Sequence, residues 1–85
     1  MIKVYTKENC ANCTILVGGL KRRSLPYVKI DITQDGVLAE LQARYPNDVI
    51  RTLPVVEIGN SILLHNPPVI SVLEVYSEYN LSSQF

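Results

Sequence analysis

The chain has 85 residues, enough to fill one hydrophobic core and not two, so residues 1–85 are expected to form a single domain. Apolar residues make up 47% of it and charged residues 19%, with 8 Lys and Arg against 8 Asp and Glu. A net charge of zero removes the long-range pull that nucleic acid or an anionic membrane exerts on a basic protein, and no stretch approaches the roughly 20 apolar residues that cross a bilayer.

Residues 2 to 6 (Ile-Lys-Val-Tyr-Thr) alternate apolar and polar side chains and predict a strand. A polar connection, Lys7-Glu8-Asn9, follows. From Ala11 to about Arg23, Ile15, Leu16, Gly19 and Leu20 recur at helical spacing. Lys21, Arg22 and Arg23 then gather where cations suit the negative end of a helix dipole. Pro26 opens a second alternating strand over residues 27 to 32. Thr33, Asp35 and Gly36 mark a helix start, and Val37, Leu38, Leu41 and Tyr45 its apolar face, until Pro46-Asn47-Asp48 ends it.

Residues 54 to 58 predict a third strand, Gly59-Asn60 a two-residue turn, and residues 61 to 65 the antiparallel partner. The last helix is expected to start at Asn66-Pro67-Pro68, with Asn66 as cap and Pro67 in the first turn. Val69, Ile70, Leu73, Val75, Tyr76 and Tyr79 supply its buried side, and residues 82 to 85 read as a frayed tail. The five tyrosines are expected in or beside the core, and His65 at a strand end. The N-terminal residues lack an apolar run before a small-residue cleavage site, so a cytoplasmic location is expected.

The two cysteines, Cys10 and Cys13, fall where the first strand hands over to the first helix. A disulfide closing so small a loop removes little entropy from the unfolded chain, which makes it a poor staple. Chemistry explains the pair better. Unpaired N–H groups and the dipole at a helix start favour a thiolate at Cys10, and Cys13, one turn on, can face it from a more shielded position. The implied reaction is attack by Cys10 on a target disulfide, followed by resolution through Cys13. Lys7, three residues before Cys10, either adds positive charge beside the thiolate or is a solvated loop lysine. A structural zinc needs about four ligands; beyond the cysteines only His65 is of the usual kind, so no metal site is expected.

With Cys10-Ala11-Asn12-Cys13 after the first strand and Thr52-Leu53-Pro54 before the third, the chain resembles the glutaredoxins over residues 1 to 80. With no extra strand and helix before the cysteines, it is more similar to small dithiol glutaredoxins and NrdH-type redoxins than to full-length thioredoxins. The element order β-α-β-α-β-β-α, a mixed four-stranded sheet flanked by three helices, is the thioredoxin-like α/β fold. The resemblance implies a thiol–disulfide oxidoreductase, an electron carrier reducing protein or glutathione mixed disulfides through a reversible Cys10–Cys13 disulfide. It also implies a cis proline at Pro54 beside the active-site cysteine and a Leu53 backbone free to pair with a bound thiol peptide. Lys7, Asn12, Arg51, Thr52, Leu53 and Pro54 are the expected substrate-binding residues.

One segment departs from the family pattern. Glutathione-using members carry a Gly-Gly pair and small polar or acidic residues before the last helix, whose N–H groups receive a carboxylate. Here the segment is His65-Asn66-Pro67-Pro68-Val69, and the prolines have no N–H to donate. Glutathione and thioredoxin reductase therefore stay open as electron sources, and no bound cofactor is expected. The expected partners are disulfide-containing proteins, among them ribonucleotide reductase, a typical client of such redoxins. A monomer is expected, without nucleic-acid or membrane partners. The alternatives are a metal or iron–sulfur cluster module using Cys10, and an interaction module with incidental thiols.

Overall fold

A computed structural model describes residues 1–83. It contains β1 (Ile2–Thr6), α1 (Ala11–Arg22), β2 (Tyr27–Asp31), α2 (Val37–Arg44), β3 (Val55–Ile58), β4 (Ile62–His65) and α3 (Val69–Ser83). The four strands form one sheet in the order β2-β1-β3-β4. β1 and β2 run parallel, with Ile2 opposite Tyr27 and Thr6 opposite Asp31. β3 is antiparallel to both β1 and β4. This is the mixed sheet of the thioredoxin-like fold.

Strand alternation sorts the side chains between two faces. Ile2 and Val4 of β1 and Val56 and Ile58 of β3 point to one face, where Leu16 and Leu20 of α1 and Val72 of α3 complete a buried cluster. Truncating one of its leucines or isoleucines to alanine costs about 2–5 kcal/mol. The other face carries Tyr5 and Val55, covered by Leu41 of α2 and by Tyr45. Among the described residues no helix is long and apolar enough to cross a membrane.

Several element boundaries differ from the sequence expectation, each for a local reason. β2 stops at Asp31, because its carboxylate accepts from the Thr33 N–H (2.8 Å) and hydroxyl (2.6 Å) and turns the chain. The β3–β4 connection has three residues, Gly59 to Ser61, since Ile58 pairs directly with Ile62. α3 begins two residues beyond the predicted first turn. Asn66 sits in the left-handed region at φ 47°, and the Pro68 carbonyl receives the first helical bonds, from Ser71 (3.1 Å) and Val72 (3.4 Å).

α3 also buries Val72, which the expected inward face omitted, while Ile70 is 51% exposed. Ile15 and Leu38 likewise face outward, against their apolar periodicity. Ser82 and Ser83 continue α3 rather than fraying from it; Gln84 and Phe85, also assigned to the tail, lie outside the described residues.

Candidate active site

The chain leaves β1 through Lys7 to Asn9 and enters α1 at Cys10. Asn9 takes a left-handed φ of 59°, a conformation asparagine tolerates better than most residues. That turn aims the chain into the helix with Cys10 as its N-cap, at φ −106° and ψ 104°. The Cys10 sulfur accepts the Cys13 N–H at 3.2 Å, and the Cys10 carbonyl accepts the Thr14 N–H at 3.2 Å. No acidic residue occupies the first turn; the carboxylate of Glu8 and the ammonium of Lys7 both belong to the shallow groove in front of it. Cys10 and Cys13 are joined by a disulfide, with Cα atoms 5.3 Å apart. Cys10 is partly exposed, whereas Cys13 is 4% exposed.

Cys10 opens onto a cleft of about 470 Å³. Lys7, Asn12, Arg51, Thr52 and Leu53 line the same cleft, so segments far apart in sequence meet at one sulfur. The Leu53–Pro54 peptide is cis, and Pro54 is fully buried behind the cleft at the entrance to the interior strand β3. Among the described residues no backbone hydrogen bond outside the helices and strands engages Leu53. Sequence reasoning did not place Ile32, Leu38, Ile50 and Asn66 here, yet they complete the wall. Leu38 carried the one usable signal, since it is large, apolar and near the end of a short helix. Ile50 and Asn66 lie in loops whose path only the fold decides.

The loop bearing Ile50 to Leu53 is fastened at its base. The Gln42 side-chain amide donates to the carbonyls of Tyr45 (2.8 Å) and Asp48 (2.7 Å). The His65 ring nitrogen Nε2 lies 3.0 Å from the Asp48 carboxylate, and the Asn66 N–H donates to the Pro54 carbonyl at 2.8 Å. His65 is thus the strand-end residue expected, with a tethering partner. Beyond Asn66, a second groove of about 390 Å³ runs between α1 and α3, past Ile15, Arg22, Pro67 and Pro68.

Below the cleft lies a polar network without any signal in the sequence. Glu57, on β3, is fully buried. Its carboxylate accepts from Arg44 at two points (both 2.9 Å), from the Tyr45 hydroxyl (2.7 Å) and from the Tyr5 hydroxyl (3.0 Å). Burial pushes this carboxyl up, but the hydrogen bonds from Arg44, Tyr45 and Tyr5 outweigh it and hold the group below the usual carboxylate range. Burial, with Glu57 close by, pushes both tyrosine hydroxyls up. Tyr5 and Tyr45 therefore do more than pack. Among the described residues no group of three His, Cys, Asp or Glu side chains is placed to hold a metal ion.

The glutaredoxin family model matches residues 2–63, a span that includes both cysteines, the cleft loop and the first three strands. The chain belongs to the glutaredoxin family. Among solved structures, it is similar to the glutaredoxin-like NrdH-redoxin of Escherichia coli, at 25% identity and a TM-score of 0.59, over 75% of this chain and 79% of that one. The thioredoxin-like protein BC3987 shares the fold at 24% identity and a TM-score of 0.67, over 87% and 97% of the two chains. A glutaredoxin of Archaeoglobus fulgidus shares it at 19% identity and a TM-score of 0.66, over 86% and 82%. No curated protein sequence gives a significant match. Family membership and the Cys10–Cys13 pair together support a thiol–disulfide redox role for this glutaredoxin-family protein.

Proposed function

We propose that the protein reduces disulfides in other proteins by cycling Cys10 and Cys13 between dithiol and disulfide. The observation that carries this reading is the unequal placement of the two sulfurs. Cys10 caps a helix at an open cleft edged by Lys7 and Arg51, and Cys13 is buried one turn behind it. In the reduced protein the first-turn N–H groups favour a thiolate at Cys10.

The thiolate attacks one sulfur of a target disulfide. The target's S–S bond breaks, its second sulfur leaves and takes a proton, and a mixed disulfide with Cys10 remains. Cys13, losing its proton, then attacks the Cys10 sulfur and releases the first target sulfur as a thiol. The target has gained two electrons and two protons, and the protein ends with the Cys10–Cys13 disulfide. An extended target segment pairs with the Leu53 backbone, with Asn12, Thr52 and Pro54 around it and Lys7 and Arg51 meeting acidic groups.

The start of α3 bears on the electron source. Pro67 and Pro68 lack the N–H groups that a glutathione carboxylate needs there, which favours thioredoxin reductase over glutathione. The NrdH-redoxin of Escherichia coli has a thioredoxin-like activity profile, in line with the same choice. Ribonucleotide reductase is the first client to test, and a cytoplasmic setting fits a pair that must be re-reduced.

A paired NADPH-oxidation assay with one protein disulfide substrate tests this. Turnover is expected with thioredoxin reductase alone and not with glutathione plus glutathione reductase. Turnover only with glutathione would reverse the donor assignment. Silence in both systems would overturn the redox reading.

A further inference from the structure

Between α1 and the edge strand β2 lies a separate cavity of about 300 Å³. Three lysines, Lys7, Lys21 and Lys29, line it, together with Thr6, Cys13 and Gly18. No carboxylate does. Among the described residues Lys7 and Lys21 enter no ion pair, and the charge felt near Lys29 is that of Asp31, two residues along its strand. Thr6 is only 6% exposed, and no described residue hydrogen-bonds its hydroxyl.

Gly18 adds a second, independent observation. A methyl group at Gly19 would press on Val69 at 3.0 Å, so packing of α1 on α3 accounts for that glycine. A methyl group at Gly18 would meet nothing closer than Arg22 at 3.7 Å. Glycine is a poor helix former, and packing within the chain gives no reason for it here. Gly18 is also one of the residues that line the cavity.

We propose that this cavity binds a small, multiply charged oxyanion of the phosphate class, held by Lys7, Lys21 and Lys29 with the Thr6 hydroxyl as a donor. Lysine ammoniums serve phosphate as point charges. The volume is at the lower limit of ligand sites, which suits an ion or one phosphoryl group rather than a whole cofactor. A further consequence rests on the reading of Cys10 as nucleophile. Lys7 also lines the Cys10 cleft, so a bound anion and a Cys10 thiolate compete for the same charge and weaken each other. The anion therefore binds the disulfide form more tightly. Each tenfold of that preference lowers the midpoint potential by about 30 mV.

The test starts with the disulfide form at constant ionic strength. Isotope-labelled protein is titrated by NMR with inorganic phosphate, with glycerol phosphate, and with chloride as control. Saturable shifts are expected at Thr6, Lys21 and Lys29 with the phosphates and not with chloride. Tighter binding of the ester supports an organic phosphate as the source, and tighter binding of inorganic phosphate supports the free ion. Lys21→Gln and Lys29→Gln, at exposed lysines, are each expected to weaken binding at least fivefold while the fold persists. Shifts that never saturate, that chloride reproduces, that centre on Asn12 and Arg51, or that survive both substitutions would overturn the site. The midpoint potential in saturating phosphate is then expected to fall; an unchanged potential with binding intact overturns the coupling. None of these readouts uses turnover, so a failure of the redox reading shows separately, in the NADPH assay.

Discussion

Arg44 holds Glu57 with two nitrogens, Nε on one carboxylate oxygen and an outer guanidinium nitrogen on the other, each at 2.9 Å. This paired contact fixes the C-terminal end of α2 to the middle of the sheet and keeps a fully buried carboxylate charged. Such a group adds stability that is fully present above its unfolded pKa of about 4.3 and is lost as the pH falls through its lower folded value. Melting temperature measured from pH 7 down to pH 2.5 is expected to drop steeply below about pH 4. Glu57→Gln should flatten that drop; equal acid slopes for the two proteins would remove Glu57 as its cause. Glu57→Ala leaves the buried Tyr45 hydroxyl without its acceptor, while the partly exposed Arg44 keeps its contact with the Tyr5 hydroxyl, and is expected to cost about 1–3 kcal/mol.

The two cysteines should separate cleanly by substitution. Cys10→Ser is expected to abolish all disulfide reduction. Cys13→Ser should stop at the mixed disulfide with a protein target, visible as a covalent adduct in mass spectrometry. Activity of Cys10→Ser equal to that of the parent would exclude Cys10 as nucleophile.

Gly59 closes the β3–β4 connection at φ 62°, with the ring of Tyr79 directly over it. An added Cβ would lie 2.5 Å from the Tyr79 hydroxyl oxygen. The backbone conformation alone costs a non-glycine residue about 1–3 kcal/mol, so Gly59→Ala should lose at least that in urea denaturation. Gly36→Ala, equally left-handed but with no atom within 4 Å, should lose less. Equal losses would mean that the Tyr79 contact carries no weight.

The His65–Asp48 pair is exposed and is expected to contribute less than about 1 kcal/mol to stability. Its effect should appear in binding, because it tethers the loop that lines the Cys10 cleft. His65→Ala is expected to raise KM for a protein disulfide roughly threefold with kcat nearly unchanged, the signature of lost uniform binding. A fall in kcat without a change in KM would contradict that tethering role.

Much of this arrangement was legible in the residues. Period-two alternation across residues 2 to 6 and 27 to 31 follows from the pleat itself, and the Cys10–Cys13 spacing follows from the helix turn. The cleft was legible in outline, since Lys7, Asn12, Arg51, Thr52 and Leu53 do converge on Cys10. Glu57 was not, because a carboxylate in an apolar strand says nothing of its partners, and these lie 13 and 52 residues away at Arg44 and Tyr5. The start of α3 was misplaced because a long-range bond decides it: the Asn66 N–H goes to the Pro54 carbonyl instead of turning into a cap. Ile15 and Leu38 break the inward pattern because each lines a groove instead of the core, Ile15 the one between α1 and α3 and Leu38 the Cys10 cleft.

The two faces of the sheet are unequally covered. α1 and α3 run 12 and 15 residues on one side, while α2 offers eight on the other and buries only Leu41. Breathing motions should follow that imbalance, with α2 amides exchanging with deuterium well before those of α1 and the central strands. Cys10 belongs to the slow half and the wall formed by Leu38 and Ile50 to the fast half. Clients of differing contour would then be accommodated by movement of that wall, while the alignment of the two sulfurs is kept by the half that scarcely opens.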